Sequence, residues 1–249
     1  MEKRKEFLNT YVDALTMDET LEKIEEFIEN KRIVQHVVIN ASKINLMQED
    51  DELTNIINEC PLINADGQSI VWGAKFLGYE LPERVAGIDI FTELVRICAE
   101  KGYRPYFFGA TEEVVTKIVK IFTEKYTNLK VAGYRNGYFN EDQSLNIAED
   151  IKNSRADILF VAFSSPKKEF WIKRYIDIMQ VPFTMGVGGS FDVIAGKTTR
   201  APKWMQKIGL EWFHRFIQEP RRMFKRYIIG NLKFVILVLK QKFKKSIGD

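Results

Sequence analysis

Residues 104–134, RPYFFGATEEVVTKIVKIFTEKYTNLKVAGY, hold the pattern that decides the fold. The run at 104–108 is short, aromatic and nearly free of polar residues, which is how a strand buried on both faces reads. Gly109, Ala110 and Thr111 follow as a turn. Beyond them Val114, Ile118, Ile121 and Phe122 recur at helical spacing, so one face of TEEVVTKIVKIFTEKY is apolar and the rest polar. Apolar residues at 129–133 then close the unit with a second strand.

The same alternation extends in both directions. Strand-like runs at 33–40, 62–65, 158–163 and 182–187 are separated by segments of helical period, and Thr16-Met17-Asp18-Glu19 reads as a capping box opening an amphipathic helix with Leu21, Ile24, Phe27 and Ile28 on its inner face. Buried strands alternating with helices predict an α/β protein: a Rossmann-like, mostly parallel sheet with helices on both faces. Ligands of such sheets bind beyond the carboxyl ends of the strands. The positions to inspect are therefore Asn40, Asn64 to Gly67, Gly109 to Thr111, Gly133 to Gly137, Ser164 to Glu169 and Gly186 to Asp192. Their Gly, Ser, Asn and Asp content suits backbone amides set against a nucleotide or phosphorylated ligand.

Charge divides the 249 residues unevenly. The net charge is +3, but residues 200–249 carry 13 Lys/Arg against 3 Asp/Glu, leaving 24 against 31 before them. An acidic body with a basic tail predicts a partner bearing phosphate. No RNP, helix-turn-helix or zinc signature accompanies the tail, so an anionic membrane surface is expected rather than nucleic acid. Residues 1–196 read as the nucleotide-sugar-binding and catalytic core, and 197–249 as a basic helical appendage rich in aromatics. Within it, Leu232 to Lys245 carries FVILVL among lysines, a pattern that fits either a helix lying on a membrane or a terminal core helix with a solvated basic end. Cys60 and Cys98 belong to no metal or disulfide pattern, and the charged first ten residues lack the apolar segment of a signal peptide; a cytoplasmic protein is expected.

Four blocks carry a resemblance. INADGQSIVWGAKFLG (63–78) with ERVAGIDIF (83–91), ILFVAFSSPKKEFWI (158–172), GVGGSFDVIAGKTTRAPKWMQKIGLEW (186–212) and HRFIQEPRRMFKRYIIGN (214–231) together resemble the WecG/TagA/CpsF glycosyltransferases, family 26, in family order from about Asn40 to Asn231. The resemblance implies inverting transfer of an N-acetylmannosamine-type sugar from a UDP-sugar to a polyprenyl-diphosphate-linked N-acetylglucosamine, by a homo-oligomer peripheral on the inner face of the plasma membrane. It also implies no metal cofactor, and no two aspartates here stand at i, i+2 to form a metal-binding pair.

Inversion requires a carboxylate to take the proton of the attacking hydroxyl. The NADG block resembles the family segment that supplies this base, which assigns the role to Asp66; a cap for the helix starting near Ser69 is the other reading of the same residue. Asn64 and Gly67 flank it, and Asn40 is placed to touch the acceptor or orient Asp66, or is an ordinary turn residue. Without a metal, the leaving diphosphate needs cations and amides. Arg215 and Arg222, with Arg221 and Arg226, are the candidates on the appendage, where the resemblance has basic residues reach over the core; a basic face attracted to anionic lipid has the same composition. Pro220 is placed to break the helix between them. Gly186, Gly188 and Gly189 would offer amides to the diphosphate. Gly109 lies in the turn after the 104–108 run, and Gly133, Tyr134 and Gly137 resemble the uridine-side loop. Ser165, Pro166, Lys168 and Glu169 face the donor, with Lys168 standing where the family's SPKQE pattern has Gln; an exposed lysine at a helix start is the alternative. Neither His36, inside a strand-like run, nor His214, among aromatics, reads as a base. A membrane-docked nucleotide-binding scaffold without catalysis is the competing function.

Overall fold

The computed structural model describes residues 3–248, with the side chains of Arg222, Lys225, Arg226 and residues 245–248 outside the described set. The chain opens with β1 (Arg4–Phe7) and β2 (Thr10–Asp13), an antiparallel hairpin. Then follow α1 (Met17–Glu29), β3 (Val34–Ile39), α2 (Ala41–Met47), α3 (Asp51–Asn58), β4 (Leu62–Ala65), α4 (Gln68–Phe76) and α5 (Gly87–Lys101). The stretch 104–134 gives β5 (Pro105–Gly109), α6 (Glu112–Lys125) and β6 (Gly133–Arg135). Next are α7 (Ser144–Asn153), β7 (Ile158–Ala162), α8 (Lys167–Met179), β8 (Phe183–Gly186) and α9 (Ser190–Ile194). Four further helices complete the chain: α10 (Lys203–Lys207), α11 (Glu211–Gln218), α12 (Pro220–Phe224) and, after a π-helical turn, α13 (Gly230–Gly248).

Strands β3 to β8 form one parallel sheet in the order β4-β3-β8-β7-β5-β6. Side-chain alternation along each strand feeds two faces. On β7, Ile158 and Phe160 enter one core with helices α1, α5, α6 and α9, while Leu159 and Val161 enter the other with α7 and α8. The first core centres on Phe91, whose ring lies 4.7 Å from Phe160 and 5.5 Å from Phe122 and Phe191. Fully burying each such ring contributes about 1.5–3 kcal/mol. The capping box is present: Thr16 Oγ1 accepts from Glu19 N and Glu19 Oε2 from Thr16 N.

One local expectation is corrected. The strand expected at 129–133 occupies Gly133–Arg135 instead. Leu129 and Val131 turn into the first core rather than pairing, and the ladder starts only where Gly133 leaves room for the Tyr106 ring, 2.6 Å from where a Cβ would stand. The β1–β2 hairpin adds to the expected elements. Its register is held by a two-pronged Arg4–Asp13 ion pair at 2.8 and 2.9 Å, with Asp13 also accepting from Ile63 N on β4.

The appendage is broken at Pro220 as its sequence requires, since α11 ends at Gln218 and α12 begins at the proline. α13 has a buried face and an exposed one. Phe234 and Val238 are buried in the core shared with Phe7, Ile39, Ile44 and Ala74, whereas Leu232, Val235, Ile236 and Phe243 are exposed. Among the described residues no helix is long and apolar enough to cross a membrane.

Candidate functional site

A cavity of about 1290 Å³ lies over the carboxyl ends of β3, β4, β7 and β8 and under α11 to α13. Of the residues singled out from sequence, Asn40, Asp66, Gly67, Ser165, Lys168, Gly186, Gly188, Gly189 and Arg215 line it.

Asp66 follows β4 directly and is half-buried. Its Oδ1 accepts from the backbone N of Gly87 at 2.9 Å, and its Oδ2 faces the Asn40 amide at 3.4 Å. The capping reading of Asp66 is thereby redirected: α4 starts after Gly67 with no side-chain cap, and the carboxylate serves the first residue of α5 instead. Asn40 works twice, because its Oδ1 also accepts from Lys43 N and caps α2. These bonds fix the carboxylate between two helix starts while leaving lone pairs on both oxygens.

Opposite, β8 runs into the glycine loop. A Cβ on Gly186 would meet Lys168 Cδ at 2.6 Å, and one on Gly189 would meet Arg215 Nη2 at 2.8 Å. Glycine at these positions lets two cationic side chains lie against the backbone. Gly188 has φ +53°, where a side chain is strained. Arg215 thus reaches from α11 onto the core loop.

Lys168 is buried, not an exposed helix-start lysine. Its ammonium contacts Ser165 Oγ and lies 3.1 Å from Glu169 Oε1, which Lys43 approaches at 2.7 Å and Ser165 Oγ at 3.1 Å. Burial alone would push the Glu169 carboxyl up, but the two ammonium groups outweigh it and hold it down at about 2. Two cations therefore share one buried carboxylate, and Lys43, Lys168 and Ser165 all border the cavity.

The remaining singled-out residues lie elsewhere. Asn64 is fully buried, donating to Thr20 Oγ1 and accepting from His36 Nε2 at 2.9 Å. Glu169 is enclosed beneath the cavity floor, and Pro166 follows Ser165 through a cis peptide bond. Gly109 packs against Ala162 with φ +125°. Gly133 lies beside Tyr106, and Tyr134 is exposed on the edge strand. Gly137 borders a smaller depression of about 550 Å³ with Tyr138, Phe139 and Lys167. Arg221 is exposed on α12, and the side chains of Arg222 and Arg226 lie outside the described residues.

Sequence reasoning missed Lys43, Arg84, Arg200 and Glu211, all of which line the cavity. Arg84 Nη1 donates to Glu211 at 2.9 Å, and Arg200 bridges Glu211 at 3.2 Å and Asp89 at 2.8 Å, so the start of α11 is pinned to α5. Arg84 and Arg200 sit inside two of the blocks that carry the family resemblance, a signal available but left unused. Both cysteines are free and buried, and burial holds the Cys60 thiol up at about 12. Among the described residues, no three His, Cys, Asp or Glu side chains converge as a metal site.

A profile of the glycosyl transferase WecG/TagA/CpsF family matches residues 5–248. An N-acetylglucosaminyldiphosphoundecaprenol N-acetyl-beta-D-mannosaminyltransferase of Bacillus subtilis strain 168 is 33% identical over 198 residues, 80% of this chain and 76% of its own length. The protein of that name from Bacillus spizizenii is 32% identical over 187 residues, 75% and 71% of the two chains. Its namesake in Staphylococcus aureus strain MW2 is 29% identical over 244 residues, 97% and 95% of the two chains. Since the match runs through the sheet that carries Asp66 and on through the helices that bring Arg215 over it, the chain belongs to the WecG/TagA/CpsF family of glycosyl transferases.

Proposed function

We propose that this glycosyltransferase moves N-acetylmannosamine from a UDP-sugar to polyprenyl-diphosphate-linked N-acetylglucosamine, with inversion and without a metal, in the synthesis of a surface polymer. The carrying observation is that Asp66, fixed by Gly87 N and Asn40, and Arg215, lying on Gly189, border one cavity. In this reading the Asp66 carboxylate takes the proton of the acceptor hydroxyl as its oxygen bonds to the anomeric carbon. The bond from that carbon to the UDP oxygen breaks with its electron pair leaving on UDP. Inversion of an α-linked donor gives a β-linked sugar, the configuration in the relatives' names.

Charge growing on the leaving diphosphate is met by Arg215 and Lys168, with the amides of Gly188 and Gly189 as further donors. The neighbouring amides of Val187 and Ser190 are already committed to the carbonyls of Val161 and Val187. The acceptor's lipid and the exposed apolar stripe of α13 support a peripheral station on an anionic membrane, at its cytoplasmic face where UDP-sugars are found, and a homo-oligomer in solution remains part of the reading.

UDP release from a panel of UDP-sugars, with and without a short-tailed diphosphate-linked N-acetylglucosamine, tests it. Acceptor-dependent release from UDP-N-acetylmannosamine is expected, reduced by about 100-fold or more in Asp66→Ala while UDP still binds. Release by no donor would favour a non-catalytic scaffold, and full activity of Asp66→Ala would remove the base.

A further inference from the structure

The cavity has two chemically different ends. One carries Asp66, Lys168 and Arg215; the other is bounded by α4 and α13. On α4, Trp72 and Phe76 stand one turn apart, 53% and 50% exposed. On α13, Val235 and Leu239 repeat that spacing at 50% and 39%. The two helices touch at their base, where a Cβ on Gly73 would come within 3.3 Å of Phe234 and Val238. Above that contact the four side chains and Leu46 form an apolar trough that opens from the cavity to the surface.

Four large apolar side chains left half in solvent on two neighbouring helices form a patch of the kind that binds an apolar partner. Its position limits what that partner is. The trough is continuous with the chamber that holds the carboxylate and the cations, so its occupant is joined to a group that reaches them. A cation stands at the mouth: the Lys242 ammonium lies 5.8 Å from the Phe76 ring centroid. A ligand anionic within and hydrocarbon beyond, lying beside a basic apolar helix, is an amphiphile that begins in a phosphate and continues as a linear chain.

We infer that the α4–α13 trough holds the first isoprene units of the acceptor's polyprenyl tail, which leaves the chamber past Trp72 and Leu239. This rests on the transferase reading above and adds to it a tail-recognition subsite, distinct from the outer face of α13 and its contact with a bilayer. Each carbon buried in the trough adds binding free energy, so the logarithm of KM falls with the length of tail the trough holds, whereas a tail trailing into solvent leaves KM unchanged.

The test uses the full chain without vesicles, and acceptors below their micellar concentration. KM is compared for a diphosphate-linked N-acetylglucosamine with a six-carbon alkyl tail and one with a fifteen-carbon isoprenoid tail. Wild type is expected to favour the isoprenoid by about tenfold or more. The Trp72→Gln/Leu239→Gln double variant is expected to bring the ratio of the two KM values close to one. Val235→Trp, which fills the trough without making it polar, is expected to do the same. A ratio unchanged in both variants overturns the inference, as does a wild-type ratio near one. Loss of vesicle flotation in the variants with the vesicle-free ratio intact would also overturn it, assigning these residues to the bilayer. Wild type that transfers to neither acceptor would remove the transferase reading, and this inference with it.

Discussion

The Lys43 ammonium lies 2.7 Å from Oε1 of Glu169, and the two side chains are 4% and 1% exposed. Such a pair is worth little against an apolar replacement of both partners but much against removal of one, because a buried charge is then left alone. Here the two removals are unequal. Taking away Lys43 leaves Glu169 paired with Lys168, whereas taking away Glu169 leaves two buried cations facing each other. Glu169→Gln is therefore expected to lower stability by about 3 kcal/mol or more, and Lys43→Met by clearly less. Urea denaturation at pH 7 measures both, and equal losses would contradict the asymmetry.

The contact between Gly189 and Arg215 predicts a coupling. In Gly189→Ala the new methyl group would sit 2.8 Å from Nη2, and the flexible guanidinium would give way rather than the fold. Turnover is expected to fall about tenfold with little change in unfolding, since one charge-assisted contact to the diphosphate is worth about 1.5–3 kcal/mol. In an Arg215→Ala background the same glycine substitution should cost almost nothing more. Additive losses would mean that Gly189 matters for its amide and not for the arginine above it.

The rule that ligands sit beyond strand ends made Asn40, Asp66, Ser165 and the Gly186 to Gly189 loop legible, because it depends only on where apolar runs stop. It could not separate residues facing the chamber from those behind it. Asn64 precedes Asp66 by two positions, yet it lies within β4, enclosed by His36 and Thr20, whereas Asp66 stands past the end of the strand. Lys43 was passed over because lysine is ordinarily exposed, and its partner lies on another helix. Arg84 and Glu211 are 127 residues apart, and nothing local in either sequence marks the pair. The sixth strand was misplaced because Leu129 and Val131 are apolar for core packing and not for pairing.

Asn40 allows its two tasks to be separated. Asn40→Asp keeps an oxygen to cap α2 but replaces the amide facing Asp66 with a second carboxylate. The kept cap limits the stability loss to the repulsion between the two carboxylates, while kcat falls because the base is no longer held by a donor. Asn40→Ala should lose the cap as well, at about 1 kcal/mol. Thermal melts and single-turnover rates on both variants check this; an Asp variant with wild-type kcat would leave Asn40 only the cap.

His36 sets an acid limit on the fold. Its ring is fully buried, and burial chiefly pulls its pKa from 6.5 down to about 4, with Lys43 adding to the effect and the Asn64 bond opposing it. The hydrogen-bond chain fixes the neutral tautomer: the Asn64 amide is spent on Thr20, so its oxygen must accept from His36 Nε2–H. Because the folded value is the lower one, the unfolded chain binds the extra proton first as pH falls. Stability is thus complete above pH 6.5 and declines through the window from 6.5 to about 4, by roughly 3 kcal/mol if this group acts alone. Glu169, also depressed, adds its own loss only below its unfolded value near 4.5. Urea midpoints at pH 7.5 and 5 separate the two groups, since Glu169 is ionised at both. His36→Gln, whose side-chain amide can replace the Nε2–H donor, should flatten that interval while leaving the loss below pH 4.5. If the variant and wild type decline in parallel from 7.5 to 5, the proton goes to another group and His36 does not set the limit.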